Sequence, residues 1–261
     1  MAHIATETEV RAALPAVRRI GFSDLVDALM KGIDDFRAIP SQAIFLGIIY
    51  PLLGIFLWSL MVRYDVLPLL FPLVAGFALI GPFAAVGLYE LSRRRELGLD
   101  GQWQHAFDVL SSPARWSIFA LAVLLLVIFG AWLMAAHAIY VKTMGDTPIL
   151  SFGVFASRVL YTPGGHALIV IGNGVGFLFA VVSLAVGAVS FPLVLDRHVD
   201  APAAIITSIR TVARNPLEMA AWGLIVAAAL VIGSIPFLLG LAIVMPVLGH
   251  ATWHLYRKLV V

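Results

Sequence analysis

Apolar residues occur in this chain in two textures. Three segments carry them at helical spacing among charges, and six runs carry them almost without interruption. In the first spaced segment, Phe22, Leu25, Val26, Leu29, Ile33 and Phe36 fall at offsets 0, 3, 4, 7, 11 and 14. Asp24, Asp27, Lys31, Asp34 and Asp35 take the opposite side, so the spacing predicts an amphipathic helix. Trp103, Ala106, Phe107 and Leu110 repeat the pattern, and Ile205, Ile209, Val212 and Ala213 repeat it again. The uninterrupted runs fall at roughly 42–62, 66–90, 115–141, 166–194, 217–233 and 236–253. Several exceed the ~18–20 residues that cross about 30 Å of hydrocarbon.

The two textures meet at prolines. The junctions are Asp35-Phe-Arg-Ala-Ile-Pro40, Asp108-Val-Leu-Ser-Ser-Pro113 and Thr211-Val-Ala-Arg-Asn-Pro216. Seven residues after each proline stands a small residue: Gly47, Ala120 or Gly223. Proline lacks an N–H and disfavours helical geometry in the residue before it, so it ends the amphipathic helix and turns the chain into the next run. A spacing used three times predicts one unit copied and diverged. The return runs echo one another through Pro82, Pro192 and Pro246. Eleven residues beyond Pro82 and Pro246 lie Arg93 and Arg257, and in that frame Glu90 aligns with His254.

Composition sharpens the class. The chain of 261 residues is 61% hydrophobic and 12% charged, about half the charge of a soluble domain. Its mean hydropathy is +1.00. Backbone groups in hydrocarbon must be satisfied internally, and runs without period-two alternation exclude a barrel. The expected fold class is therefore an all-α integral membrane protein. It has six transmembrane helices arranged as three hairpin repeats, each preceded by a cytoplasmic interfacial amphipathic helix. Residues 1–21 hold Glu7, Glu9, Arg11, Arg18 and Arg19 and no apolar core, so they predict a flexible cytoplasmic tail rather than a leader. Residues 22–261 form a single membrane domain with units at about 22–96, 100–196 and 201–261.

Charge orients the spans. With hairpin turns at Arg63-Tyr64-Asp65, across 142–165 and at Gly233-Ser234-Ile235-Pro236, fourteen Lys and Arg fall on the N-terminal side. Only three, Arg63, Lys142 and Arg158, fall on the other. The positive-inside rule places both termini in the cytoplasm. Merging the last two runs into one kinked helix would change the division to twelve against five, so the charge rule prefers six spans.

Candidate chemistry is sparse. There is no cysteine, hence no disulfide, thiolate ligand or cysteine nucleophile. A net charge of +2 without a basic–aromatic platform gives no reason to expect nucleic acid. Glycine-rich phosphate loops are absent. His250 and His254 lie four apart on one helical face, and Glu90 aligns at the same depth. The three are candidate metal ligands, weighed against a plain interfacial belt with Trp253 and Tyr256. His137 and His166, near the outer ends of the third and fourth spans, are weighed as axial haem ligands without any further haem signature. Gly172, Asn173 and Gly176 predict close helix packing, with a solute path through Asn173 as the alternative. Phe152, Phe155, Val159 and Leu160 predict a short outer amphipathic helix.

Four blocks carry a family likeness. They are Asp34–Ser41, Gly81–Glu96, Ser190–Arg197 and the ending Pro246–Lys258. Together they resemble an uncharacterised family of bacterial predicted integral membrane proteins, a domain of unknown function, over about residues 18–261. The resemblance implies a bacterial inner-membrane location and brings no catalytic residue or cofactor. The expected function is non-enzymatic, acting through packing against membrane lipids, another inner-membrane protein or a homo-oligomer. A transporter or channel for a small solute is the alternative, and a metal-dependent membrane enzyme the third.

Overall fold

The computed structural model describes residues 14–39, 67–145, 151–235 and 239–261. The expected first run at 42–62, its turn at Arg63–Asp65, and Gly47, Pro40 and Pro236 lie outside them. All regular structure among the described residues is helical apart from one isolated bridge, Val17 with Val260. Among the described residues, four stretches are long and apolar enough to cross a membrane: Phe71–Glu96, Arg115–Met144, Pro163–Arg197 and Pro216–Ser234.

The elements follow the junction prolines. Helix α1 covers Phe22–Ala38 and ends just before Pro40. The second run holds α2 (Leu67–Phe77), a 3₁₀ turn (Ala78–Ile80), α3 (Gly81–Ala84) and α4 (Val86–Glu96). A 3₁₀ helix over Trp103–Ser111 leads to α5 (Arg115–Met144). The outer helix α6 (Phe152–Tyr161) precedes α7 (Pro163–Gly187) and α8 (Ser190–Arg197). Then come α9 (Ala201–Arg214), α10 (Pro216–Ser234) and α11 (Leu241–Leu259). Between α10 and α11 the chain reverses, with Gly233 packed directly against Gly240.

The second amphipathic segment differs from expectation in kind. It is 3₁₀ rather than α, so its buried positions repeat every three residues: Ala106 and Val109 face inward while Phe107 and Leu110 face out. The helix is short, nine residues bounded by Gly101 and Pro113.

Breaks in the return runs precede Pro82 and Pro192, and side chains from other helices repair them. Ser183 Oγ donates to the Leu79 carbonyl at 2.6 Å. The Val189 N–H donates to Ser208 Oγ at 3.3 Å. Gly187 has no side chain where Pro82 packs against it. The first satisfies a carbonyl freed before Pro82 and the second an N–H at the break before Pro192, so neither backbone group is left bare in the interior.

These breaks aim the ends of the return runs, α4, α8 and the second half of α11, into a common core. Trp222, Trp253, Tyr89, Tyr256, Phe191 and Leu193 are among its fully buried side chains. The pairing of segments in this layer is cyclic. α4 packs on the 3₁₀ helix that follows it, α8 on α9, and α11 returns to α1, the most extensive contact in the molecule. Away from this layer the helices are sparsely covered. Phe119, Val127, Met134, Val170, Phe177, Leu224 and Val231 all stand exposed, as lipid-facing positions of spans would.

Candidate functional site

The layer where α1, α4 and α11 meet holds the densest set of titratable side chains. Its geometry starts from α1, whose Leu25, Ala28, Gly32 and Asp35 form one stripe facing α11. Gly32 allows the approach: a Cβ there would lie 2.6 Å from the backbone nitrogen of Ala251. Contact this close brings Asp35 level with His254 and, across α4, with Ser92 and Arg95.

Asp35 is the hub. It is 4% exposed. Ser92 Oγ donates to its Oδ2 at 2.6 Å, and His254 Nε2 lies 2.8 Å from the same oxygen. Arg95 donates to Oδ1 at 2.5 Å. His250 Nδ1 lies 2.7 Å from Ser92 Oγ and 4.0 Å from the Asp35 carboxylate. A hydroxyl has one proton, and here it goes to the carboxylate, so Ser92 accepts from the Nδ1–H of His250. A carboxylate only accepts, which puts the His254 proton on Nε2. Burial works to raise the Asp35 pKa. The hydrogen bonds from His254 and Ser92, with the charges of both histidines, outweigh it and hold the carboxyl below its ordinary 3.8.

A second set surrounds the end of α11. Trp253 Nε1 donates to Glu96 at 3.0 Å, and Arg257 bridges Glu96 and Asp196 at 3.0 and 3.2 Å. The Tyr256 hydroxyl donates to Asp196 at 2.6 Å, and burial first, then this bond, raises the phenol's pKa. Lys258 bonds Asp24 and Asp27 at 3.0 and 2.9 Å. Asn215, at the third junction, is 1% exposed: its Oδ1 accepts from the Ile20 N–H and its Nδ2 donates to the Arg18 and Thr211 carbonyls. With the bonds from Arg18 to Leu259 and from Val261 to Ala16, these contacts hold the later part of the expected tail, Ala16 to Gly21, against the core.

The sequence candidates separate. His250 and His254 do share one cluster, joined through Asp35 and Ser92. Glu90 is buried beside them in sequence frame only, its two oxygens held by Arg93 at 2.8 and 2.9 Å. Among the described residues, no three His, Asp or Glu side chains are grouped to hold a metal. His166 bonds the Leu160 carbonyl at 2.8 Å, and His137 is exposed on α5. Gly176 faces the Trp132 ring, whereas Asn173 is exposed on the outer side of α7. Asp35 and Ser92 are the residues that sequence reasoning missed. Two signals point to Asp35: it stands five residues before a junction proline, and it continues the small-residue stripe Ala28–Gly32.

Chemically, the cluster is a closed network. Hydrolytic triads place an imidazole between hydroxyl and carboxylate, so that it can take the hydroxyl proton. Here the hydroxyl sits between imidazole and carboxylate, and Ser92 is fully buried. What the arrangement does is bind three helices to one carboxylate.

Residues 70–196 match the family model described as predicted integral membrane protein (DUF2189). The protein is an integral membrane protein, and over this stretch the family likeness drawn from its sequence is met. The family is a domain of unknown function. No curated protein and no solved structure matches the chain.

Proposed function

We propose that the protein is a non-enzymatic, six-span inner-membrane protein of the bacterial type, with both termini in the cytoplasm, that works by packing against lipids and protein partners. Its three hairpin units occupy about 22–96, 100–196 and 201–261, behind a cytoplasmic tail. The cyclic pairing of each return helix with the next amphipathic segment supports the repeat. Contact of α1 with α11 supports an even number of crossings between them, because the two helices pack side by side. The division of Lys and Arg makes their face the cytoplasmic one.

The observation that carries the non-enzymatic reading is how the buried polar groups are used. Asp35, Glu90, Ser92, His250 and Asn215 are each bonded to neighbouring protein groups, and each is 4% exposed or less. None is presented to a substrate. The apolar span surfaces are what the molecule offers to its surroundings.

Native mass spectrometry from mild detergent tests this. The expected result is retained lipid or a bound protein; lipid-free monomer alone would overturn the reading. Orientation has its own test, since the chain has no cysteine. Single cysteines placed at Ala16 and Lys258 should react with impermeant maleimide only from the cytoplasmic side, and labelling of either from outside would reverse the topology.

A further inference from the structure

Asn173 sits where an amide is least at home. It lies ten residues into α7, counted from Pro163. At about 1.5 Å per residue this is ~15 Å from the start of the helix and ~10 Å from residue 166, where the apolar run begins, so the amide lies inside the ~30 Å hydrocarbon layer. Its side chain is exposed, and Nδ2 donates to the Ile169 carbonyl one turn earlier at 2.7 Å. The second amide proton and Oδ1 have no protein partner among the described residues. The opposite side of the same helix is committed to the fold: Gly176 faces Trp132, Phe179 packs beside that ring, and Val175 packs against the cluster of Leu79, Trp132 and Ala136. The outward face comprises Val170, Asn173, Gly174, Phe177 and Val181, a strip at helical spacing that is exposed throughout. Gly174 leaves a notch in it, with open space where a Cβ would stand.

Lipid tails offer no hydrogen bond, so polar side chains in spans turn toward other helices or toward water. Here the amide turns outward, onto an apolar strip. We infer that this strip is an interface between two copies of the chain, closed by a reciprocal amide pair at Asn173. The amide selects a second copy because it is its own complement. Each carries one free N–H and one free oxygen, and a twofold axis through the strip places donor opposite acceptor twice at the same depth. Gly174 lets the two helices approach closely enough for the pair to form. The inference rests on the proposal above that the protein works by packing, and gives that packing a partner and a face.

The cysteine-free chain makes the test direct. Single cysteines at Val170, Asn173, Gly174, Phe177 and Val181 in native membranes should give disulfide-linked dimers under mild oxidation. Cysteines at Gly172, Val175, Gly176 and Phe179 should not. Alongside, Asn173→Leu should raise the dimer dissociation constant about threefold or more, as expected of a membrane-buried amide pair, and Asn173→Gln should largely restore it. A flat cross-linking profile, a maximum on the opposite face, cross-links to a different protein, or an unchanged Asn173→Leu dimer would each overturn the inference. Oligomers that persist in native mass spectra beside a flat profile would sink this face alone and leave the packing proposal standing. Lipid-free monomer would end both.

Discussion

Replacing Asp35 by alanine should loosen the join between α1, α4 and α11 more than any other single change in the layer. The substitution removes the acceptor of three hydrogen bonds, from Ser92, His254 and Arg95. Bonds to a charged group contribute about 1.5–3 kcal/mol each. The Arg95 side chain is 42% exposed, so water replaces much of its share. Ser92 and His254 are 0% and 15% exposed and have no such recourse. Breaking a buried pair from one side typically costs about 3–5 kcal/mol, and we expect about 4 here. Asp35→Asn keeps the shape and one acceptor, and should cost about 2. For a chain of this size 1 kcal/mol corresponds to roughly 2–4 °C, so Asp35→Ala should melt about 10 °C lower. Buried Trp222 and Trp253 report the transition by fluorescence in detergent micelles. His254→Ala should then cost less in the Asp35→Ala background than alone, because the two share one bond. An Asp35→Ala protein melting within about 3 °C of the parent would refute the idea that this carboxylate holds the layer together.

Other consequences can be checked in the same preparations. Gly32→Val should destabilise by about 3 kcal/mol through overpacking, since the Cβ meets the backbone of Ala251 rather than a movable side chain; a crosslink-free, unshifted melt would contradict the close approach. Asn215→Leu strands the Ile20 N–H and the Arg18 carbonyl, so limited proteolysis should cut near residues 14–20 well before the spans, and unchanged protection there would dismiss the anchor. The Asp35 carboxyl titrates below its ordinary 3.8 in the folded chain, so its stabilisation is complete above that pH and is lost as pH falls through the lower, folded value. Acid melts should accordingly be steeper for the parent than for Asp35→Asn, and matching acid limbs would count against the assignment.

Much of the architecture is legible from the linear pattern because the membrane writes it there. Continuous apolar runs and the junction prolines at 113 and 216 mark where α5 and α10 begin, to within two residues of the observed Arg115 and Pro216. The candidate site is far less legible. Helical spacing assigns Asp35 to the polar side of α1 because six apolar residues define the other side. A helix with two neighbours has two inner faces, however, and the stripe toward α11 is made of small residues that hydropathy overlooks. The sequence aligns Arg93 with Arg257 by their place beyond Pro82 and Pro246. In the fold, Glu90 holds the first, and Glu96 and Asp196 hold the second. A carboxylate three residues away is visible in sequence; one brought in from a different unit is not. The packing of α4 against Trp103–Ser111 is likewise encoded by no local pattern.

The contact of α1 with α11 joins the first described helix to the last, and this sets an order of events during synthesis. Over two hundred residues separate Gly32 from Ala251, whose backbones meet. At about 5–20 residues per second, the ribosome needs roughly 10–45 s to deliver the partner that α1 requires. Until then Asp35 has only Ser92 and Arg95 of α4 to bond, and the stripe that faces α11 has nothing to cover it. The ring is therefore closed only when α11 emerges, and a nascent chain stalled before Leu241 should display the α11-facing stripe of α1 to chaperones and proteases that the folded protein does not meet.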